Sequence, residues 1–232
     1  MSVAKRIAIF IVFLSVNVIN VGYDGFLKSA PFSSILAVAV PINNETGTII
    51  FTKFLLSIVV SVVFLFSLAE CINEQFQMGN YILTRGTRIK SVKFYAKRIV
   101  VGALRVFVLK LIADALVGNY EICFDYRNVI IIEISTMVTV LIWGECMALL
   151  FVVEMDQRLA TLVTVTTIVI LQWFSLCGLC PVLTSIIAIG SPIILEAPFQ
   201  IIAIKLGLIV VLYLTSIALL KRYEFCGLHE TI

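Results

Sequence analysis

The sequence predicts an all-α integral membrane protein with six transmembrane helices and with both termini in the cytoplasm. Three observations carry this prediction: an apolar composition, six long apolar segments, and the placement of the basic residues. The chain has 232 residues, of which 61% are hydrophobic and only 13% are charged. Because a soluble domain has ~25% charged residues, this composition leaves too little polar surface for a soluble globule.

The six apolar segments each approach the ~20 residues that a spanning helix needs. The first one follows Lys5 and Arg6, a pattern that also fits a signal peptide, but no A-x-A-like cleavage site follows, so we predict a retained span. Residues 178–199 carry three prolines between apolar runs, which favours short broken or re-entrant helices. With no internal repeat, residues 1–232 form a single transmembrane domain. The spans are predicted at 7–21, 49–69, 99–117, 129–153, 160–177 and 200–220.

Basic residues fall in alternate connections, and this sets the orientation. Cytoplasmic segments of membrane proteins carry an excess of Lys and Arg. We therefore place both termini and the connection at 70–98 in the cytoplasm. The residues behind this assignment are Lys5, Arg6, Arg85, Arg88, Lys90, Lys93, Lys97, Arg98, Arg158, Lys221 and Arg222.

The segment 70–98, ECINEQFQMGNYILTRGTRIKSVKFYAKR, is the most informative connection. Ile72, Phe76, Gly79 and Leu83 recur near helical spacing, which predicts a short amphipathic helix between spans two and three. The alternative is a solvated loop whose basic residues only fix the topology. That alternative explains the charges but leaves the apolar face unexplained.

The layout resembles the permease subunits of bacterial type-2 ABC exporters, of the bacteriocin, lantibiotic or drug export and immunity type. The resemblance rests on the short N-terminus, the six spans, the broken connection between spans five and six, and YILTRGTRIKSVKFYAKR, where such permeases carry a Tyr/Ile-Leu-x-Arg-Gly run. It implies that residues 71–83 form a coupling helix that docks on a separate ATPase subunit. The coupling residues implied are Glu70, Ile72, Glu74, Phe76, Tyr81, Leu83, Arg85 and Arg88.

The ATPase is expected on another chain, because this sequence has no GxxxxGK[ST] phosphate-binding loop. ATP and Mg are thus expected on the partner ATPase, and this chain is expected to bind no cofactor, metal or nucleic acid. A second permease, identical or different, would complete the exporter in the bacterial plasma membrane. Its substrate would be a hydrophobic or amphipathic peptide, bacteriocin or drug. Two alternatives stay open: a lipid-modifying intramembrane enzyme, and a non-transporting immunity or sensor protein.

Charged residues inside spans three and four predict a buried ladder of ion pairs. Arg105 lies ~9 Å and Glu145 ~12 Å from the cytoplasmic ends of their spans, which makes them the best-matched pair. Lys110 and Asp114 share a helix face, and Glu133 lies near the outer end with Asp114. The ladder could be a polar pathway or a conformational switch. The alternative is that the pairs only hold the two helices in register, with Arg105 snorkelling toward the inner surface.

Other chemistry has weak support in the sequence. Cys177 and Cys180 form a CxxC that could be a disulfide or a redox pair, but we favour the interpretation that they are two small residues at a helix end. The one histidine, His229, lies in the C-terminal tail and cannot supply a metal ligand within the bilayer.

Overall fold

A computed structural model describes residues 3–25, 51–83, 88–117, 126–152, 157–176, 186–187, 189 and 197–226. These ranges are helical almost throughout and contain six long helices. The helices are α1 (Val3–Gly25), α2 (Phe51–Leu83), α3 (Arg88–Val117), α4 (Tyr126–Val152), α5 (Gln157–Leu176) and α6 (Pro198–Cys226).

Each predicted span lies within one of these helices, apart from one or two residues at an end. Three stretches in the described ranges are long and apolar enough to cross a membrane: Phe54–Ile72 in α2, Glu133–Leu150 in α4 and Pro198–Leu219 in α6. A shorter apolar stretch, Leu159–Phe174, lies in α5. The all-helical, membrane-type fold class is thereby confirmed at this coarser level.

Helices α2, α3 and α4 pack against one another and form the centre of the bundle. The other three lie around them: α1 against α2 and α3, α5 against α2 and α4, and α6 against α3 and α4. In the described ranges α1, α5 and α6 do not pack against each other. The central trio therefore carries the core, which includes Phe64, Leu68, Ile72, Ile99, Val106, Trp143 and Met147.

Two glycines allow the central helices to approach closely. A methyl group on Gly144 of α4 would lie 2.6 Å from Cγ2 of Ile99 on α3. A methyl group on Gly102 of α3 would lie 2.9 Å from Sγ of Cys71 on α2. Because lipid tails supply no hydrophobic driving force between helices, close contact at small residues is a main source of helix association in membranes. These two positions set the spacing of α2, α3 and α4.

The predicted coupling helix is not a separate element. The structure continues α2 without a break from the apolar stretch that ends at Ile72 to Leu83. Ile72 lies one turn beyond Leu68 and extends the same buried stripe, so its side chain is only 2% exposed and belongs to the core. The expectation that Ile72 contributes to an exposed docking face is therefore wrong.

The connection between α5 and α6 reaches the interior of the bundle. Nε1 of Trp143, in the middle of α4, donates a hydrogen bond to the backbone oxygen of Ile187 at 3.0 Å. Ile189 is buried and packs in the core cluster. Trp143 lies ~15 Å along α4 from Glu133, well inside the apolar stretch. These described positions fit the re-entrant character that the prolines suggested.

The outer surface of the bundle is apolar. On α6, the exposed side chains include Phe199, Val210, Val211 and Leu214. Soluble monomers rarely expose continuous apolar surfaces of this kind, whereas a surface in contact with lipid requires them.

Candidate functional site

A cluster of four polar side chains joins α1, α3 and α4 in the interior. Nζ of Lys110 donates to Oδ2 of Asp114 at 2.6 Å and to Oε1 of Glu133 at 2.7 Å. Nδ2 of Asn17 donates to Oδ1 of Asp114 at 2.5 Å. All four residues are at most 7% exposed. We call Asn17, Lys110, Asp114 and Glu133 the buried charge cluster.

The local sequence explains how the cluster forms. Lys110 and Asp114 are one turn apart on α3 and point to the same side. Their immediate neighbours along α3 are apolar, and the described partners of the two charges are each other, Glu133 and Asn17. Glu133 comes from the beginning of α4, and Asn17 comes from the second half of α1. The cluster thus fixes three helices at one height.

Among the described residues of the cluster, acidic groups outnumber basic ones. Lys110 brings one positive charge and two carboxylates face it. Within the described ranges, Oε2 of Glu133 is buried and has no hydrogen-bond partner. Buried charges are tolerated inside a membrane protein only when they are paired or face water. Removing Lys110 would take away the cation that both acids contact in the described part of the chain.

A second buried cation lies on α6. Lys205 is 0% exposed, and its Nζ donates to Oγ of Ser135 at 2.6 Å and to Oγ1 of Thr139 at 2.7 Å. Ser135 and Thr139 lie one turn apart on α4, ~200–240° around that helix from Glu133, so the two lysines lie on different sides of α4. Lys205 is therefore the polar link between α4 and α6.

The predicted pair between Arg105 and Glu145 is not formed. Glu145 is buried at 6% exposure, whereas Arg105 is exposed on the outside of α3. Arg105 lies five residues before Lys110, which places it ~140° around the helix from the buried face. Among the described residues, neither an ion pair nor a hydrogen bond joins the two side chains.

Glu70, predicted as a coupling residue, makes an ion pair with Lys5 of α1. This pair joins the beginning of α1 to the C-terminal half of α2 at one end of the bundle. The other implied coupling residues cannot be placed: the side chains of Glu74, Phe76, Tyr81, Leu83 and Arg88, and all of Arg85, lie outside the described part. Cys177, Cys180 and His229 also lie outside it.

Sequence reasoning missed three polar residues in the bundle. Asn17 lies in an apolar run in the first predicted span, and Lys205 lies at the start of the sixth. Gln172 of α5 donates through Nε2 to Oγ of Ser61 on α2 at 2.9 Å. In each case the available signal was a lone polar residue within an apolar helix, which is costly unless a neighbouring helix supplies a partner.

Polar links therefore connect every peripheral helix to the central trio: Asn17 for α1, Gln172 for α5 and Lys205 for α6. Among the described residues no group of three His, Cys, Asp or Glu side chains could hold a metal ion. This arrangement holds the helices in register. A relative movement of α1, α3 and α4 would separate the charges of the buried charge cluster, which is costly in a dry interior.

No family model matches the sequence, and no curated protein or solved structure shows significant similarity to it. The comparisons therefore assign no family.

Proposed function

We propose that this chain is the membrane-spanning permease subunit of an ATP-driven exporter, and that the hairpin formed by α2 and α3 receives the motion of a separate ATPase. The observation that carries the proposal is the continuity of α2. Its apolar stretch ends at Ile72, but the helix continues through residues 73–83, a further ~16 Å. Residues 88–98 form the matching start of α3. We call residues 73–98 the extended hairpin.

The base of the extended hairpin is packed into the core. Ile72 and Ile99 are at most 2% exposed, and Cys71 lies against Gly102. A force on the hairpin would therefore move α2 and α3 as rods, and through them the buried charge cluster on α3. A flexible loop could not transmit motion in this way. This continuity supports a role in transmitting motion more directly than it supports an enzyme, because catalysis does not require a rigid pair of helices beyond the apolar stretch.

The proposal includes six spans with both termini in the cytoplasm. The ion pair between Lys5 and Glu70 supports part of this topology, because it places the beginning of α1 at the same end of the bundle as the extended hairpin. Cysteines introduced singly at Asn119 and at Thr87, in a protein whose six native cysteines are replaced by serine, test the orientation in intact cells. A membrane-impermeant thiol reagent should label the cysteine at position 119 and spare the one at position 87. The reverse pattern would place the hairpin outside, where ATP is absent.

Docking can be tested by co-purification with two matched phenylalanine variants of α2. Helix docking in a groove depends on a few apolar anchors, and Phe76 is the largest side chain of the predicted apolar face. Phe76→Ala should remove ~2 kcal/mol or more of binding free energy, which weakens the complex ~30-fold. Phe66→Ala is the control, because Phe66 is exposed within the apolar stretch of the same helix.

The expected result is loss of an ABC ATPase from the purified Phe76→Ala protein and full recovery with Phe66→Ala, at matched amounts in the membrane. Ile72→Ala separates docking from folding. Because Ile72 is in the core, its truncation should lower thermal stability. The unfolding temperature of Phe76→Ala is measured beside it, and loss of the ATPase is assigned to docking when this protein is as stable as the parent. Equal recovery of the ATPase with both phenylalanine variants would exclude Phe76 as the docking anchor. The other candidate for docking would then be residues 154–158, the predicted cytoplasmic connection between spans four and five.

A further inference from the structure

We propose that Arg6 and Arg105 bind the phosphate of an anionic phospholipid in a groove between α1 and α3 on the outside of the bundle. This site does not depend on the docking of an ATPase. The groove has a volume of about 370 Å³. It is lined by the two arginines and by four apolar side chains: Val101, Leu104, Val108 and Leu109.

The helices bring the two arginines to the same height. Asn17 of α1 contacts Asp114 of α3, which aligns the two helices. From this contact back to Arg6 is ~16 Å along α1, and back to Arg105 is ~14 Å along α3. Both guanidinium groups therefore lie near the end of the bundle that carries the pair Lys5–Glu70, at the proposed cytoplasmic side. That leaflet holds the anionic lipids of a cell membrane.

In the described part of the chain the groove has positive charge and no counter-ion. None of the described lining residues is acidic. Within the described ranges neither Arg6 nor Arg105 meets a carboxylate, and Glu145, the predicted partner of Arg105, lies elsewhere in the interior. A cation on a lipid-facing helix is costly unless it reaches an anion at the interface.

A phospholipid satisfies every part of this surface. Arginine binds phosphate with two parallel hydrogen bonds, and its long side chain can extend from ~9 Å inside the span toward the headgroups. The apolar walls below the arginines suit the upper part of an acyl chain. A free phosphate ion would use the two guanidinium groups but would gain nothing from Val108 and Leu109, which lie deeper along α3. The surface therefore favours a lipid-borne phosphate.

Quenching by brominated lipids tests the site. A reporter tryptophan replaces Leu104, which lines the groove and is exposed. A second reporter replaces Leu214, which is exposed on α6 at a similar distance from the same side of the membrane. Each protein is reconstituted in phosphatidylcholine with an equal mole fraction of either brominated phosphatidylglycerol or brominated phosphatidylcholine. The parent protein gives the background from Trp143 and Trp173.

We expect phosphatidylglycerol to quench the reporter at position 104 in preference to phosphatidylcholine, and the reporter at position 214 to show a much smaller preference. Arg6→Gln and Arg105→Gln should each reduce the relative affinity about fivefold, and the double variant should abolish the preference. Arg105→Lys keeps the charge but loses the two parallel hydrogen bonds to phosphate, so it should retain only part of the preference.

Two results would overturn the proposal. Equal preference at both reporter positions, or a preference that survives the double glutamine variant, would mean that the arginines do not select the lipid. Displacement of brominated phosphatidylglycerol by millimolar glycerol phosphate would mean that the site takes a free phosphate. Circular dichroism of each variant establishes that it is folded, and the two single variants carry the test if the double variant is not.

Discussion

The close contact between Gly144 of α4 and Ile99 of α3 allows a quantitative test of the bundle. In Gly144→Ala the new methyl carbon would lie 2.6 Å from Cγ2 of Ile99 and 3.5 Å from Cδ1 of Leu68. Carbon atoms in contact prefer ~3.5–4.0 Å, so the overlap with Ile99 is ~1 Å. Ile99 is 1% exposed, and a β-branched side chain in a helix has essentially one χ1 rotamer, so it cannot turn away.

Helices α3 and α4 must therefore separate locally, and such overpacking costs ~1–3 kcal/mol. For a chain of this length each kcal/mol corresponds to ~2–4 °C, so we expect a fall of ~2–12 °C in thermal unfolding in detergent. Gly207→Ala is the control. Gly207 lies in α6, and a methyl carbon added there would have nothing within 4 Å, so this change should be neutral or slightly stabilising through helix propensity.

A double-mutant cycle isolates the contact. Ile99→Ala alone should cost ~2–5 kcal/mol because it leaves a cavity in the core. In the double variant the methyl of the alanine at position 144 no longer meets Cγ2 of Ile99, so the combined loss should be smaller than the sum by ~1 kcal/mol or more. Circular dichroism followed during heating is the measurement. Additive losses, or a Gly144→Ala protein as stable as the parent, would refute the close packing of α3 on α4.

Two further predictions concern buried polar contacts. Lys110→Met should destabilise the protein by ~3–5 kcal/mol because it removes the cation that Asp114 and Glu133 both contact. Arg105→Met, on the exposed side of α3, should have little effect on thermal unfolding; equal losses from the two variants would contradict the burial of Lys110. Trp143→Phe removes the hydrogen bond to the backbone of Ile187 and should cost ~1–3 kcal/mol, while Trp173→Phe, at an exposed position, should cost much less.

The helices could be predicted from the sequence because their signal is simple. Long apolar runs bounded by charges or prolines become helices in any membrane protein, and the six helices agree with the six runs. The end of α2 could not be predicted. The apolar face at 72–83 favours a separate amphipathic helix, but Ile72 continues the stripe of Leu68, and Gly79 alone does not interrupt a helix.

The partners of the interior charges could not be predicted from depth alone. Depth along each span matches Arg105 with Glu145, yet depth says nothing about which side of a helix a residue occupies. Val106 and Lys110 lie on the buried side of α3 and so fix the rotation of this helix about its axis. Arg105 points outward as a consequence. Partners for Lys205 and Asn17 depend on which helices are neighbours, and no pattern within a single segment encodes that information.

Site-specific photo-crosslinking in native membranes tests the central claim most directly. A photo-reactive amino acid is placed at Asn80, in the extended hairpin, and at Phe66, on the lipid-facing part of the same helix, in separate proteins. If the chain is an exporter permease, position 80 should crosslink to an ABC ATPase with a yield that changes when ATP is added, and position 66 should yield no such adduct. An extended hairpin that crosslinks to no ATPase, with or without ATP, while position 80 is shown to be cytoplasmic, would contradict this function.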